Sequence, residues 1–198
     1  MTERVRFYFD PVCPWAYQTS RWARRLAELG EIRLDWGLFS LAVANAEDAD
    51  GRHARSQRAL RTAVAVRRAA GPDGVGAFYA ALGRRVHEGG EALDDPAVTE
   101  AALVDASLDA ALQDVATCDE ATWQAVGREH RELVERTRSF GVPTIVLDGG
   151  AGPAIFGPVI SRLPDDDDTV ALWRHVSWLA RHEDFAELKR ERLGRPSF

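Results

Sequence analysis

The stretch Val5-Arg6-Phe7-Tyr8-Phe9-Asp10-Pro11-Val12-Cys13-Pro14-Trp15-Ala16 decides how this chain is read. Val5, Phe7 and Phe9 alternate with Arg4, Arg6 and Tyr8, the period of two that marks a strand. Asp10-Pro11 breaks the strand, and Pro14 opens a helix, because proline is tolerated in a first helical turn where its missing N–H has no partner to lose. Trp15, Trp22, Leu26 and Leu29 fall on one helical face, and Gly30 ends it. A second alternation follows at Ile32, Leu34, Trp36 and Leu38, with Arg33 and Asp35 between them. Strand, helix, strand is a βαβ unit, whose crossover is expected to be right-handed.

Outward from there, the strand signal disappears between about Asn45 and Phe140. Leu60 and Val64, then Phe78, Leu82 and Val86, then Val98, Ala102 and Leu103 recur at helical spacing. Breaks are expected at Gly71-Pro72-Asp73-Gly74 and His87-Glu88-Gly89-Gly90. Pro96 is placed near a helix start, and a last helix is predicted from about Asp119 to Ser139, with Trp123, Val126, His130 and Val134 facing inward. The block reads as four or five helices. Strand character returns at Thr144-Ile145-Val146-Leu147, turns at Asp148-Gly149-Gly150 and resumes at Ala154-Ile155-Phe156, a β-hairpin pattern. A final helix carries Val170, Trp173, Val176 and Leu179, and a polar tail from Asp184 is expected to anchor through Phe185 and Leu188. The expected class is α/β: a thioredoxin-like fold, residues 1–44 and 140–198, with an α-helical domain, residues 45–139, inserted between its βαβ and ββα halves.

Composition narrows the function. The 198 residues are 45% apolar, enough for a packed core, and carry a formal charge of −6, which argues against nucleic acid as a partner. Lys189 is the only lysine, and the arginine and alanine excess reads as coding bias. No apolar stretch has the length of a signal peptide or a membrane span. Two cysteines make no disulfide framework. A reducing cytoplasm is the expected setting.

There a cysteine at a special position points to chemistry. Cys13 stands between a strand and a helix, where unpaired N–H groups and the positive end of the helix dipole favour a thiolate, so a lowered pKa is expected. The plain alternative is a small buried hydrophobe. Val142-Pro143-Thr144 leads into the third strand, where a proline is either a cis turn residue or an edge residue. Cys118 reads as a residue at the start of the last inserted helix or as a remote resolving thiol. His130 is either a packed histidine or one that tunes a thiolate. His53, His87, His175 and His182 show no metal-ligand spacing with the cysteines, and Asp165 to Asp168 read as a helix start rather than a cation site. No nucleotide-binding signature is present, so neither metal nor nucleotide is expected.

Taken in order, Phe9-Asp10-Pro11-Val12-Cys13-Pro14-Trp15, Ser40-Leu41-Ala42-Val43-Ala44-Asn45, Gly141-Val142-Pro143-Thr144, Phe156-Gly157-Pro158-Val159 and Phe185-Ala186-Glu187-Leu188-Lys189-Arg190 resemble the DsbA-like thioredoxin family. They are closest to its actinobacterial mycothiol-dependent nitroreductase-like branch, related to kappa-class glutathione transferases and 2-hydroxychromene-2-carboxylate isomerases. The resemblance implies a nucleophilic Cys13 in the motif Cys13-Pro14-Trp15-Ala16 and a cis peptide before Pro143. It also implies thiol binding by Val142, Pro143 and Thr144, with the inserted helices as a lid. Trp15 is expected to line the substrate site. The partner implied is a low-molecular-weight thiol, mycothiol or glutathione, together with an electrophilic or disulfide substrate. A homodimer is left open by the tryptophans of the final helix. Ala16 departs from the dithiol pattern, since a second motif cysteine would resolve a mixed disulfide internally. Three readings follow: a monothiol oxidoreductase or transferase, an isomerase- or transferase-like enzyme that binds a thiol cofactor without covalent exchange, and a non-catalytic binding protein.

Overall fold

The computed structural model describes residues 2–45, 51–192 and 194–198. Strand β1 (Glu3–Phe9) and helix α1 (Pro14–Glu28) form as the alternation and Pro14 dictate, and β2 (Ile32–Leu38) returns beside β1. These two strands are parallel, with Phe7 opposite Trp36 and Phe9 opposite Leu38. The short helix α2 (Leu41–Ala44) follows, capped by the Ser40 hydroxyl, which accepts from the Val43 N–H. Long helix α3 (Gln57–Gly83), then α4 (Pro96–Asp105), α5 (Leu112–Cys118) and α6 (Glu120–Thr137), lead to β3 (Thr144–Val146), β4 (Ala154–Phe156) and α7 (Asp166–Ala180). The sheet order is β2-β1-β3-β4, with β3 antiparallel to both β1 and β4. Helix α1 packs with α7, while α3 gathers α4, α5 and α6 and touches β2 and α1. This mixed sheet with its βαβ and ββα halves is the thioredoxin-like architecture read from the sequence.

Both faces of β1 are covered at its C-terminal end. Val5, Phe7 and Phe9 are buried on one face and Tyr8 on the other. Gly37 makes room for that Tyr8 ring, because a Cβ there would lie 2.5 Å from it. Phe9 stacks on Tyr79 of α3 at 3.8 Å, so the α3 block shares one apolar core with the sheet.

Several local expectations shift. In α1 only Trp22 and Leu26 of the predicted stripe are buried; Trp15 is half-exposed at the helix start and Leu29 half-buried at its end. In α6 the buried positions are Thr122, Val126, His130 and Leu133, and Val134 is half-buried, since the helix turns Leu133 rather than its neighbour onto the core. The Gly71 break is a kink inside α3, where Gly71 adopts φ 68°. The second break falls within the expected segment, at Gly89-Gly90, after a π-helical turn at Arg84–Glu88. In the tail, Leu188 is 82% exposed and anchors nothing. Phe185 is half-buried, and the far end of the segment is tied down as well: Ser197 donates its N–H to the Ser161 carbonyl and Phe198 packs on Tyr17. Asp165 caps α7 by accepting from the Asp168 N–H, which is the helix-start role read from the sequence. Trp173 is core and Trp178 is 62% exposed.

Candidate active site

Cys13 is the N-cap of α1. Its Sγ accepts from the Ala16 N–H at 3.4 Å and donates to the Val142 carbonyl at 3.7 Å. The antiparallel pairing of β3 with β1 brings residue 142 to the thiol, and the Val142–Pro143 peptide is cis. Thr144 is buried, and its hydroxyl donates to the Gly141 carbonyl at 2.8 Å, closing the turn into β3. Cys13, Pro14, Trp15, Ala16, Val142, Pro143 and Thr144 therefore meet in one place.

The electrostatics differ from the expectation of a lowered thiol pKa. Burial pushes the Cys13 thiol up. The Ala16 and Trp15 N–H groups and Arg192 act the other way, and the Asp10 carboxylate opposes ionisation again. A first helical turn supplies two N–H donors, but a half-buried sulfur with a carboxylate close by loses more by desolvation than those donors return. The S–H contact with the Val142 carbonyl fits the same protonated resting state.

From the sequence Asp10 reads only as a strand breaker. It is fully buried at the end of β1, accepting from the Val12 N–H at 3.0 Å and the Leu41 N–H at 2.7 Å. Burial pushes its pKa up to about 6, against the pull of Ser56, those two N–H groups and His53. The carboxyl ties the Cys13 loop to the start of α2.

The two further candidates lie elsewhere. Cys118 is the last residue of α5 and stands next to Asp119, which caps α6, so it lies near the start of that helix as expected. It is exposed, on an element that packs against α3, α4 and α6, and both cysteines are free thiols. His130 is buried, accepts at Nδ1 from the Ser40 N–H at 3.3 Å and packs on Phe39. It bears on Ser40, next to the Leu41 N–H that Asp10 holds.

Other neighbours had no legible signal. Tyr17, one turn after Cys13, donates to Glu88 at 2.6 Å, and its ring stacks on His87. His87 Nε2 donates to the Pro11 carbonyl at 2.9 Å. Phe198 closes over both rings, and Arg192 lies 5.1 Å from the Trp15 ring centroid. Tyr17 was legible only as the residue one turn beyond Cys13; the partners come from the π-helical turn and the tail. Among the described residues, no helix is long and apolar enough to cross a membrane, and no three of His, Cys, Asp and Glu are grouped to hold a metal ion.

A helix that starts on a cysteine beside the residue preceding a cis-proline, on a β2-β1-β3-β4 sheet, defines a DsbA-like protein of the thioredoxin fold. The chain belongs to the Rv2466c-like family, whose model, described as mycothiol-dependent nitroreductase Rv2466c, matches residues 12–190. A relative in Mycobacterium tuberculosis, the uncharacterized protein Rv2286c, is 35% identical over 192 residues, covering 94% of this chain and 81% of its own. Among solved structures, the cytosolic disulfide reductase DsbM of Pseudomonas aeruginosa with GSH superposes with a TM-score of 0.63 at 16% identity, over 88% of this chain and 99% of that one. A 2-hydroxychromene-2-carboxylate isomerase gives 0.63 at 17%, over 90% and 96%. The resemblance drawn from the five sequence segments is thus borne out.

Proposed function

We propose that this chain is a cytoplasmic thiol-dependent oxidoreductase or transferase acting through Cys13 as a lone reactive thiol, with mycothiol, or else glutathione, as the small-thiol partner. The observation that carries this reading is the position of Sγ, half-exposed at a helix N-terminus and 3.7 Å from the Val142 carbonyl. The description of the family supports the choice of mycothiol.

Val142 presents backbone beside the sulfur, so an extended thiol or disulfide can pair there like an added strand. That pairing takes the Val142 carbonyl away from Sγ and leaves the Ala16 and Trp15 N–H groups to favour the thiolate. Cys13 then attacks a disulfide sulfur: its S–S bond to the substrate forms, the old S–S bond breaks, and the departing thiolate takes up a proton. Ala16 offers no second sulfur, so Cys13 is released as thiolate when a second small thiol attacks the partner sulfur of the mixed disulfide. The helices of residues 45–139 act as a lid, a role supported by the His87 and Glu88 contacts to Pro11 and Tyr17. The raised thiol pKa favours one alternative, an isomerase- or transferase-like enzyme in which Cys13 donates a hydrogen bond to a bound thiol without covalent exchange.

Intact-mass spectrometry after incubation with oxidised mycothiol and, separately, oxidised glutathione tests the reading. A single adduct, absent from Cys13→Ser and removed by the reduced thiol, is expected. No adduct on a Cys13 that still alkylates refutes covalent exchange.

A further inference from the structure

Beyond the thiol, α1 carries a second row of chemistry. Tyr17, Arg21, Arg24, Arg25 and Glu28 line a cavity of about 320 Å³ together with Arg84 and Glu88 from the far end of α3 and its π-helical turn. Four arginines in so small a space repel one another unless acceptors are present. Arg25 has them: its Nε and Nη2 hold the two Asp166 oxygens at 2.7 and 2.6 Å, and its Nη1 occupies Glu28 at 2.9 Å. Arg21 donates to Gln18 at 3.2 Å. Arg24 does not: its Nε and Nη2 are closed off from solvent with no hydrogen-bond partner.

That pair of atoms is the edge of the guanidinium that Arg25 uses to grip a carboxylate side-on. A buried charged donor left without an acceptor costs more than an ordinary lost hydrogen bond, so the orphaned edge calls for an explanation. Packing supplies a partial one. The Arg24 guanidinium lies 4.2 Å from the Trp36 ring centroid, and α3 closes in at Gly76, where a Cβ would lie 3.5 Å from Nη1. A cation over an aromatic face is stabilised, but the ring accepts nothing at the N–H edge. Burial holds the Arg24 pKa down to about 10, and an anion beside it would reverse that direction.

We propose that this cavity is a binding site for a small oxyanion, a carboxylate or a phosphate group, gripped side-on by Arg24 after a small swing of its head and neutralised by Arg21 and Arg84. Planar or tetrahedral oxyanions fit because they present two oxygens at the spacing of the guanidinium fork. Arg84, exposed at the end of α3, draws the anion in; one Glu88 oxygen is occupied by the Tyr17 hydroxyl. The site stands independently of the chemistry assigned to Cys13.

Calorimetric titration of the full chain with inorganic phosphate and, in a second arm, with succinate tests it, each at constant ionic strength made up with chloride. Saturable binding of at least one anion is expected, weakened tenfold or more by Arg24→Gln and by Arg84→Ala. The arm that binds tells phosphate from carboxylate. Should Arg24→Gln fail to fold, Arg24→Lys replaces it, since lysine keeps the charge but loses the fork. No binding above chloride overturns the proposal, as does binding that the Arg24 substitution leaves unchanged. Adduct formation on Cys13 is read separately and is expected to survive in both variants.

Discussion

Replacing Asp10 with asparagine probes the buried carboxyl beneath the active-site loop. The substitution preserves shape but leaves one acceptor oxygen where there were two. One of the N–H groups of Val12 and Leu41, now held at 3.0 and 2.7 Å, then faces an amide N–H instead. That loss costs about 1–3 kcal/mol at every pH. The pH-dependent part has the opposite sense. The folded-state pKa is raised from 3.8 to about 6 by burial, so the folded chain binds the proton more tightly than the unfolded one. The stabilising effect of the protonated carboxyl is fully present below pH 3.8 and is lost as the pH rises through about 6. At about 1.4 kcal/mol per factor of ten in the proton equilibrium, this amounts to about 3 kcal/mol. Urea unfolding of both proteins, followed by tryptophan fluorescence between pH 4 and 7, isolates this contribution, because every other carboxyl cancels in the difference. The stability of the natural chain minus that of Asp10→Asn is expected to fall by about 2 kcal/mol over that range, since at pH 4 the unfolded chain already competes for the proton. A difference that stays flat, or rises with pH, refutes the assignment of a buried, destabilised carboxylate. A second readout follows from the thiol: Asp10 opposes Cys13 ionisation, so Asp10→Asn is expected to alkylate faster than the natural chain at pH 7.

Gly83→Ala drives a methyl into the Tyr17 ring and is expected to lower stability by about 1–3 kcal/mol in denaturant titration; a neutral result means that Tyr17 moves freely. Thr144→Val removes the hydrogen bond to the Gly141 carbonyl in a buried turn, with an expected loss of about 1–3 kcal/mol and weaker adduct formation at Cys13. Trp22→Ala empties a fully buried site between α1 and α7 and should cost about 3–5 kcal/mol, read as a lowered unfolding midpoint. Deleting Ser197 and Phe198 removes the bond from Gln18 to the Ser197 carbonyl and the ring over Tyr17 and His87. Faster hydrogen exchange confined to α1 and the π-helical turn is the expected outcome, and unchanged exchange there argues against a clamped tail.

The sheet and its helices were legible because their signals are local. The Val5-Phe7-Phe9 alternation, Pro14 after Cys13 and the hairpin around Asp148 each act over a few residues, and the structure repeats them. Five short segments in the right order carried the family for the same reason. Cys13 was legible as a helix cap, but its pKa was not, because the sign depends on burial and on Asp10, a neighbour whose own charge is set first by burial, against the pull of Ser56 and Leu41. The tail misled: Leu188 looks like an anchor in one dimension, yet Phe198 is the ring that finds apolar cover at Tyr17 and His87. Cys118 does stand next to the start of α6, but that it also ends a separate short helix, α5, was not legible. Sequence alone determined the order of elements and the single thiol at the head of α1, since periodicity and proline act through the adjacent backbone. The resemblance placed Val142 at that thiol; only the tertiary structure decided that Asp10 is sealed beside it and that Arg24 is left without an acceptor, because desolvation and hydrogen bonding depend on residues brought together from distant parts of the chain.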